Sequence, residues 1–382
     1  MRLAFATVHD PRDIRRGSGT WYHLAREIER QGHSVHYCAS VETIVARPTA
    51  LLQRVSRRMG RRHVTFLDPF TARLRATDVV RQVRTTDVEV LLTNDFGIGA
   101  YTAHRVPTVI YTDVMIPREA PRGIPPESRL ARMSPLSAWL AKHTIRKGLR
   151  EARLCVFPAQ WSADQARTHA VPKRPYGVVP FGANVPDPGP AVAAERTAVA
   201  DGVRLLFVGK DWGRKGGVIA VETLQVLHER GVSSELDVVG YSGEDAARPG
   251  VRLHGLLDKA DERGEALLDS LYRCADVFIL PSRSEGSVIS ALEAAAYGLP
   301  CVAYDVEGVA SAVRDDISGA LLPLESGADG FADVIERWAR NPQEYRRLVL
   351  GARHHYETTA NWTTAVKALM AKIEEAIEGP AT

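Results

Sequence analysis

The sequence predicts an α/β protein made of two similar halves, each built around a parallel β-sheet. Short apolar runs such as LAFATV (3–8) alternate with runs of helical period such as 21–31. After a stretch rich in Pro, Ala and Gly, the same alternation restarts with VRLLFVG at 203–209. The length of 382 residues suits two domains rather than one.

The predicted domain boundaries follow from these composition changes. Residues 1–185 form the N-terminal domain, 186–202 a linker and 203–360 the C-terminal domain, followed by a last helix at about 361–382. In open parallel sheets, ligands bind outside the carboxyl ends of the strands. Two such halves therefore predict a cleft between the strand ends of both domains.

Composition excludes several classes of protein. The net charge of +3 is too small to argue for nucleic acid by itself, and 25% charged residues are ordinary for a globular protein. The four cysteines lack CxxC or metal-ligand spacing, which predicts reduced thiols and no metal site. No apolar stretch approaches the length of a spanning helix, and Met1-Arg2 leads into a strand rather than a signal peptide. We expect a cytoplasmic protein.

Two features of the N-terminal half are candidate ligand sites. Gly17-Ser18-Gly19 precedes a predicted helix, where it is either an anion site or only a tight turn. Asp113 follows the strand TVIYT, where it could accept a hydrogen bond from a ligand or be a turn residue. The proline-rich loop 117–126 is long enough to be mobile or to face an acceptor.

Residues 46–76 contain eight arginines and one acid, Asp68. Such a basic amphipathic stretch is a solvated face, a contact with an anionic membrane surface, or a site for an acidic acceptor. Nucleic acid is disfavoured because no aromatic residue interleaves with the arginines before Phe66.

The loop 210–217 of the second half (KDWGRKGG) combines three cations and three glycines. Lys210, Arg214 and Lys215 lie between a predicted strand and helix, where exposed backbone amides add to their charge. The spacing is not that of a P-loop. The alternatives are a diphosphate site and an ordinary polar connection.

Two glutamates eight residues apart, Glu285 and Glu293, lie in LPSRSEGSVISALEAAAYGLPCVA (280–303). One acid could accept from sugar hydroxyls and the other from a ribose diol. Paired carboxylates also suggest a glycosidase, although a hydrolase needs no diphosphate loop. Alternatively, Glu293 is paired structurally inside its alanine-rich helix.

GKDWGRKGG and PSRSEGSVISALEAAAYGLPCVAYD together resemble the donor-binding half of retaining, nucleotide-sugar-dependent glycosyltransferases of GT-B family 4, the group 1 glycosyltransferases. VVPFGAN (178–184), DDISGALLP (315–323) and SGTWYHLAREIERQGHSV are also similar to that family. The resemblance implies the GT-B fold: two Rossmann-like domains facing each other across a cleft, with the C-terminal helix crossing back to the N-terminal domain and Trp362 as its anchor.

The resemblance also implies residue roles. Lys210 and Lys215 would hold the donor diphosphate, Glu285 would lie near the transferred sugar and Glu293 on the ribose. The other donor-binding positions implied are Gly19, Arg214, Gly216, Gly286, Ser287, Val288 and Ile289. No cofactor or metal is implied beyond the UDP- or GDP-sugar co-substrate, and the acceptor would be a small molecule, a glycan or a lipid-linked molecule.

Three departures from the family pattern stand out. Ser287-Val288 replaces the usual Phe-Gly, Asp113 stands where the family has a histidine, and Glu307-Gly308 replaces Gly-Gly. Val288 restricts the loop, which suggests an unusual sugar or a shifted pose. Asp113 could serve as a base toward the acceptor. These departures leave two alternatives to transfer: a non-catalytic sugar-nucleotide-binding protein, and a phosphorylase or epimerase on the same fold.

Overall fold

The computed structural model describes residues 1–114, 133–169, 176–199 and 202–378. The chain divides into two compact units, Met1–Val179 with the C-terminal residues from Ala365, and Pro180–Thr364. Each unit contains one six-stranded sheet whose paired neighbours are all parallel. The predicted α/β class with two parallel sheets is confirmed.

The sheet of the first unit has the strand order β2-β1-β3-β4-β5-β6. Its strands are β1 (Arg2–Ala6), β2 (Ser34–Tyr37), β3 (Val90–Thr93), β4 (Thr108–Tyr111), β5 (Leu154–Phe157) and β6 (Tyr176–Val178). Its helices are α1 (Thr20–Arg30), α2 (Arg47–Arg58), α3 (Pro69–Val83), α4 (Phe96–Thr102), α5 (Pro135–Glu151) and α6 (Gln160–Thr168). Every residue of β3, β4 and β5 is buried, as expected for parallel strands whose side chains are covered on both faces.

The sheet of the second unit has the order β12-β11-β10-β7-β8-β9. Its strands are β7 (Val203–Val208), β8 (Ser234–Val239), β9 (Val251–Gly255), β10 (Val277–Leu280), β11 (Cys301–Tyr304) and β12 (Gly319–Leu322). The helices that follow α6 in the chain are α7 (Pro190–Glu195), α8 (Trp212–Lys215), α9 (Gly217–Glu229), α10 (Glu262–Cys274), α11 (Ile289–Ala296), α12 (Gly327–Arg340), α13 (Pro342–Thr358) and α14 (Trp362–Glu378).

The strand order decides which loops meet in the second unit. β7 and β10 are hydrogen-bonded neighbours, with Val277 opposite Leu205 and Phe278 opposite Leu206. The chain leaves β7 toward one edge of the sheet and β10 toward the other, which makes this pair the topological switch point. The loops that follow the two strands are the basic loop 210–217 and the loop 281–288. The sheet therefore brings the two predicted motifs together.

Residues 186–202 differ from the predicted linker. They belong to the second unit and contain α7, whose Ala193 lies in the hydrophobic core of that unit. Arg196 is buried and donates to the carbonyl oxygens of Tyr272, Arg273, Ala275 and Tyr297. An arginine that satisfies four carbonyls fixes its segment, and such a segment is part of a domain rather than a hinge.

The C-terminal helix also departs in part from expectation. Residues from Ala365 onward belong to the first unit, whereas Trp362 belongs to the second. Trp362 packs its ring 5.9 Å from that of Phe181 and donates from Nε1 to Asn184 Oδ1 at 2.9 Å. Trp362 is therefore an anchor within the second unit. The proline-rich loop 117–126 lies outside the described residues.

Candidate active site

The basic loop 210–217 of the second unit contains a turn of helix, α8, where the sequence predicted an irregular connection. Asp211 caps the single helical turn α8 by accepting from the Arg214 N–H, and α9 follows immediately. Gly216 has φ +72°, and a Cβ there would lie 2.0 Å from the carbonyl oxygen of Pro281. Only glycine allows the loop 210–217 to approach the loop after β10 so closely.

Trp212 anchors the helical turn α8 by packing against aromatic side chains. It is buried, stacks on Tyr241 with ring centroids 4.4 Å apart and meets Phe207 edge-on. Tyr241 follows β8 and Phe207 lies in β7, so the turn rests on aromatic side chains from two neighbouring strands. No local pattern in the sequence indicated a role for Trp212 or Tyr241.

The buried carboxylate of Glu285 lies between two half-buried cations. Its Oε1 is 2.7 Å from Lys215 Nζ and 2.9 Å from an Arg214 guanidinium nitrogen. Burial by itself would raise the pKa of the Glu285 carboxyl, but the charges of Lys215 and Arg214 outweigh it and hold the pKa below its ordinary value. Glu285 therefore remains a carboxylate at neutral pH.

Arg214 and Lys215 come from the basic loop, and Glu285 comes from the loop after β10. Arg214 also donates to the carbonyl oxygen of Ser284 at 2.8 Å and pairs with Asp211 at 3.2 Å. A buried ion pair of this kind is costly to break, at about 3–5 kcal/mol when one partner is removed, because the other charge is left uncompensated. The cluster fixes the two loops to each other.

Lys210 stands apart from this cluster. Its side chain is exposed at the end of β7, and no carboxylate within the described parts of the chain pairs with it. The structure thus brings together Arg214, Lys215, Gly216 and Glu285 of the predicted donor site. Lys210 remains available for an anion from outside.

The residues after Glu285 lead into α11. Gly286, Ser287 and Ile289 are half-buried, whereas Val288 is buried and precedes the first turn of the helix. The N–H groups of the first turn of a helix have no partner within the helix, which suits them to an anion. Val288 has φ −119°, an ordinary extended value, so this departure from the family pattern does not strain the backbone.

Glu293 is buried and already has protein partners. Its Oε1 lies 2.5 Å from Lys259 Nζ, and its Oε2 accepts from the Tyr272 hydroxyl at 2.9 Å. Lys259 also donates to the carbonyl oxygen of Asn184 at 3.3 Å. The structural pairing of Glu293 that the sequence left open is therefore present. Lys259 was missed because nothing in the polar stretch LDKADER distinguishes it.

Glu307, noted in the sequence only as a departure from Gly-Gly, contacts the same loop as Glu285. Its Oε2 accepts from the backbone N–H of Glu285 at 2.6 Å and from Ser284 Oγ at 2.8 Å. Burial raises the pKa of the Glu307 carboxyl above its ordinary value. The candidate site thus contains a third glutamate beside the two of the motif.

The predicted site residues of the N-terminal half lie in the first unit. Gly19 has φ +85° and immediately precedes α1, and Asp113 is half-buried just after β4. Both lie at the carboxyl edge of the first sheet, where the sequence placed them. Their roles in ligand binding stay predictions.

The arginine-rich segment forms α2, a turn and the first half of α3. Seven of its arginines are exposed, but Arg75 is buried and donates to the carbonyl oxygens of Ile44 and Glu42. The single acid, Asp68, is buried and accepts from Thr49 and His63. Both charged residues are therefore structural.

An exposed apolar stripe accompanies the exposed arginines of this segment. Leu51, Val55 and Met59 are 57%, 46% and 72% exposed and follow one another at helical spacing along α2. Phe70, Leu74, Leu136 and Trp139 near the starts of α3 and α5 are also exposed. A solvated face needs no such stripe, so the simplest of the three interpretations of this segment is incomplete. Among the helices of the described ranges, none combines the length and apolar content needed to cross a bilayer.

Comparison with protein-family models matches residues 202–341 to the group 1 glycosyl transferases. Curated relatives include a D-inositol 3-phosphate glycosyltransferase of Streptomyces bingchenggensis, 37% identical over 37% of this chain and 32% of its own length. Another from Geodermatophilus obscurus is 33% identical over 57% of this chain and 52% of its own. The matched part of the chain thus spans about a third to a half of the length of these relatives.

Solved structures resemble the whole chain. Sucrose-phosphate synthase from Thermosynechococcus elongatus has a TM-score of 0.72 at 16% identity, with 98% of both chains covered. HepE of Anabaena, solved with UDP, has a TM-score of 0.67 at 13% identity, covering 98% of this chain and 100% of that one. At such identities the likeness establishes the fold alone.

Proposed function

We propose that this chain, which carries a group 1 glycosyl transferase domain on a GT-B fold, transfers a sugar with retention from a nucleotide-diphosphate donor to a hydroxyl-bearing acceptor. The observation that carries the proposal is the buried cluster of Glu285, Lys215 and Arg214 at the switch point of the second sheet. It combines a carboxylate that stays charged with two cations that suit a diphosphate.

The chemistry follows from the donor groups in the cluster. Lysine has three N–H donors and arginine five, so Lys215 and Arg214 can each bind Glu285 and a phosphate oxygen together. Their charge would stabilise the negative charge that grows on the departing diphosphate, which is transition-state stabilisation without a metal. Lys210, exposed at the entrance to this loop, would add a third positive charge.

In the proposed reaction, one bond at sugar C1 breaks and another forms. The bond between sugar C1 and the diphosphate oxygen breaks, and the diphosphate leaves with the electron pair. The acceptor oxygen forms its bond to C1 on the same face, and its proton passes to the leaving phosphate. Glu285 would accept hydrogen bonds from sugar hydroxyls and thereby orient the sugar.

The state of Glu285 argues against the glycosidase alternative. A glycosidase needs one carboxyl group whose pKa is raised so that it can protonate the leaving oxygen. The pKa of Glu285 is instead lowered by its two cations, and Glu293 is paired with Lys259. Neither acid is arranged to donate a proton.

The experiment that tests the proposal starts from binding. UDP, GDP and ADP should be compared for the rise in melting temperature they cause, with UDP first because HepE binds it. The corresponding nucleotide-glucose donors are then offered with hydroxyl acceptors, including inositol phosphates because several relatives are named for one. Proton NMR of the product should show an anomer that matches the donor, in the presence of EDTA.

Other outcomes identify the alternatives. Binding of a nucleotide sugar without release of the nucleotide under any acceptor would favour a non-catalytic binding protein. A changed sugar with donor alone would indicate an epimerase, and dependence on free phosphate a phosphorylase. An inverted anomer would exclude the retaining mechanism.

We further propose that the arginine-rich segment contacts an anionic membrane surface, expected to be the cytoplasmic one. The exposed stripe Leu51, Val55 and Met59 supplies an apolar face, and the exposed arginines of α2 supply charge complementary to anionic lipid. An acidic soluble acceptor would need the arginines but not the apolar stripe.

Vesicle sedimentation separates these two ligands. The protein should sediment with vesicles containing phosphatidylglycerol and much less with pure phosphatidylcholine. A double substitution of Arg54 and Arg58 to Glu should weaken binding about thirtyfold or more, since each basic residue near the surface contributes about 1 kcal/mol and Glu also reverses its charge. Arg248 and Arg263 to Glu, which makes the same charge change at exposed sites in the second unit, is the control. Equal binding by both double variants would refute a membrane contact through α2.

A further inference from the structure

Glu307 has a backbone conformation that side chains seldom adopt. Its φ is +47°, in the left-handed region that favours glycine, and it lies in the turn just after β11. A residue with a side chain is retained there at a conformational cost. The carboxylate of Glu307 is therefore the feature to explain.

That carboxylate is bound to the backbone of the candidate site. Glu307 Oε2 accepts from the Glu285 N–H at 2.6 Å and from Ser284 Oγ at 2.8 Å. The next residue, Gly308, donates its N–H to the carbonyl oxygen of Glu285 at 2.8 Å. Two consecutive residues of one turn thus hold both backbone polar groups of Glu285.

The contact is tight on both sides of the loop. A Cβ at Gly308 would lie 2.2 Å from the carbonyl oxygen of Gly286. The turn after β11 can therefore lie this close to the loop 281–288 only because residue 308 is glycine. On the other side, Arg214 donates to the carbonyl oxygen of Ser284 at 2.8 Å. The peptide units around Glu285 are held between the β11 turn and the basic loop.

We propose that Glu307 is a positioning residue, which fixes the backbone of Glu285 so that the Glu285 carboxylate faces Lys215 and Arg214. The proposal rests on the proposed function for its catalytic consequence, but not for its structural one. Without an acceptor at 307, the Glu285 N–H and the Ser284 hydroxyl lose their shared partner, and only the bond from the Gly308 N–H still ties this backbone to the turn after β11.

Three substitutions at one position separate the carboxylate from the backbone conformation. Glu307→Gln keeps an oxygen acceptor, Glu307→Ala removes it, and Glu307→Gly removes it while relieving the left-handed strain. Asp316→Gly is the matched control, because Asp316 is an exposed residue with φ +56° that pairs with Arg347 on another surface of the unit.

The first readout does not depend on catalysis. Amide hydrogen exchange of the peptide covering 282–288 should become at least about tenfold faster in the Ala and Gly variants, stay within about threefold in Gln, and remain unchanged in Asp316→Gly. Unchanged exchange in the Ala and Gly variants would overturn the proposal, even if the protein consumes no nucleotide sugar. Melting temperatures verify that each variant is folded.

The second readout is turnover of whichever of UDP-, GDP- or ADP-glucose the unaltered protein consumes. We expect kcat to fall about tenfold in the Ala and Gly variants with little change in KM, and to recover in the Gln variant. Full activity of Glu307→Gly would show that the carboxylate is not needed. Consumption of none of the donors by the unaltered protein would count against the proposed function and leave the exchange experiment to decide the role of Glu307.

Discussion

The charged side chains of the candidate site in the second unit and those of the arginine-rich segment in the first unit differ in their exposure and pairing. In the second unit, Glu285 and Glu293 are buried and paired with Lys215, Arg214 or Lys259, and the half-buried Glu307 accepts from a backbone N–H group. In the first unit, seven arginines of one segment are exposed beside exposed apolar side chains. Buried, paired charges hold groups in fixed geometry, whereas exposed ones attract a partner at a distance. The paired charges of the second unit therefore suit the proposed transfer chemistry, and the exposed arginines of the first unit suit the proposed contact with an anionic surface.

The largest expected effect comes from breaking the buried cluster. Lys215→Ala and Glu285→Ala should each lower turnover by about 10²-fold or more, because a contact made in the transition state is lost. Glu285→Ala should also lower the free energy of unfolding, since it leaves two partly buried cations facing each other. Steady-state kinetics and urea denaturation measure the two effects.

Glu325→Ala, which removes an exposed carboxylate of the same unit, is the control for this prediction and should change neither quantity. Near-normal turnover in both cluster variants would contradict the assignment of this cluster as the active site.

Lys259 tests the second buried pair. Lys259→Met should lower the free energy of unfolding by about 3 kcal/mol, because Glu293 would keep a buried charge with only the Tyr272 hydroxyl as partner. Adding Glu293→Gln to Lys259→Met should restore much of that loss, since the uncompensated charge is gone. If nucleotide affinity is about tenfold lower in the double variant than in Lys259→Met, the implied ribose contact of Glu293 is supported. Calorimetry with UDP and urea denaturation provide the measurements, and equal stability of Lys259→Met and the unaltered protein would contradict the prediction.

Acid pH should affect the two units in opposite directions. In the second unit, burial lowers the pKa of His355 to about 4, so between about pH 6.5 and 4 the unfolded state binds a proton that the folded state does not. Stability of this unit therefore falls as the pH falls through that window, by up to about 3 kcal/mol.

In the first unit, burial raises the pKa of Asp95 to about 6, so between about pH 6 and 4 the folded state binds the extra proton. Stability from Asp95 is therefore present at low pH and lost as the pH rises, by up to about 3 kcal/mol. Hydrogen exchange of each unit at pH 6.5 and 4.5 measures the contrast. His355→Gln should flatten the pH dependence of the second unit. Asp95 caps α4 by accepting from the Ile98 N–H, and Asp95→Asn, which keeps an acceptor oxygen there, should flatten the pH dependence of the first unit. A common pH dependence in both units, unaffected by these substitutions, would contradict the prediction.

The smallest effects separate structural from exposed arginines within the first unit. Arg75→Ala should cost about 1–3 kcal/mol of stability, because a buried side chain is lost together with its two partly buried hydrogen bonds to the carbonyl oxygens of Ile44 and Glu42. Arg57→Ala, one exposed residue of the same segment, should change stability by less than about 0.5 kcal/mol. Thermal denaturation of the two variants measures this difference. An equal loss of stability in both would mean that burial does not distinguish the two arginines.

Much of the fold and of the site could be predicted from local patterns. Apolar runs bounded by Gly and Pro predicted parallel strands, and residues 202–341, which contain the motifs of the predicted donor site, match the group 1 glycosyl transferase model. Arg214, Lys215 and Glu285 were predicted to bind one ligand and are now found in contact. Residues 186–202 have the composition of a linker, and composition does not reveal that Ala193 and Arg196 are buried.

By itself, the sequence determined which residue types are available and in which elements they lie, because periodicity, glycine placement and the Glu285–Glu293 spacing are local properties. Only the tertiary structure decided which charges meet. Lys259 lies 34 residues from Glu293, and Glu307 lies 22 residues from Glu285, so no local pattern links them. Parallel strand order brings these loops to one edge of the sheet, and burial there requires that each charge find a partner.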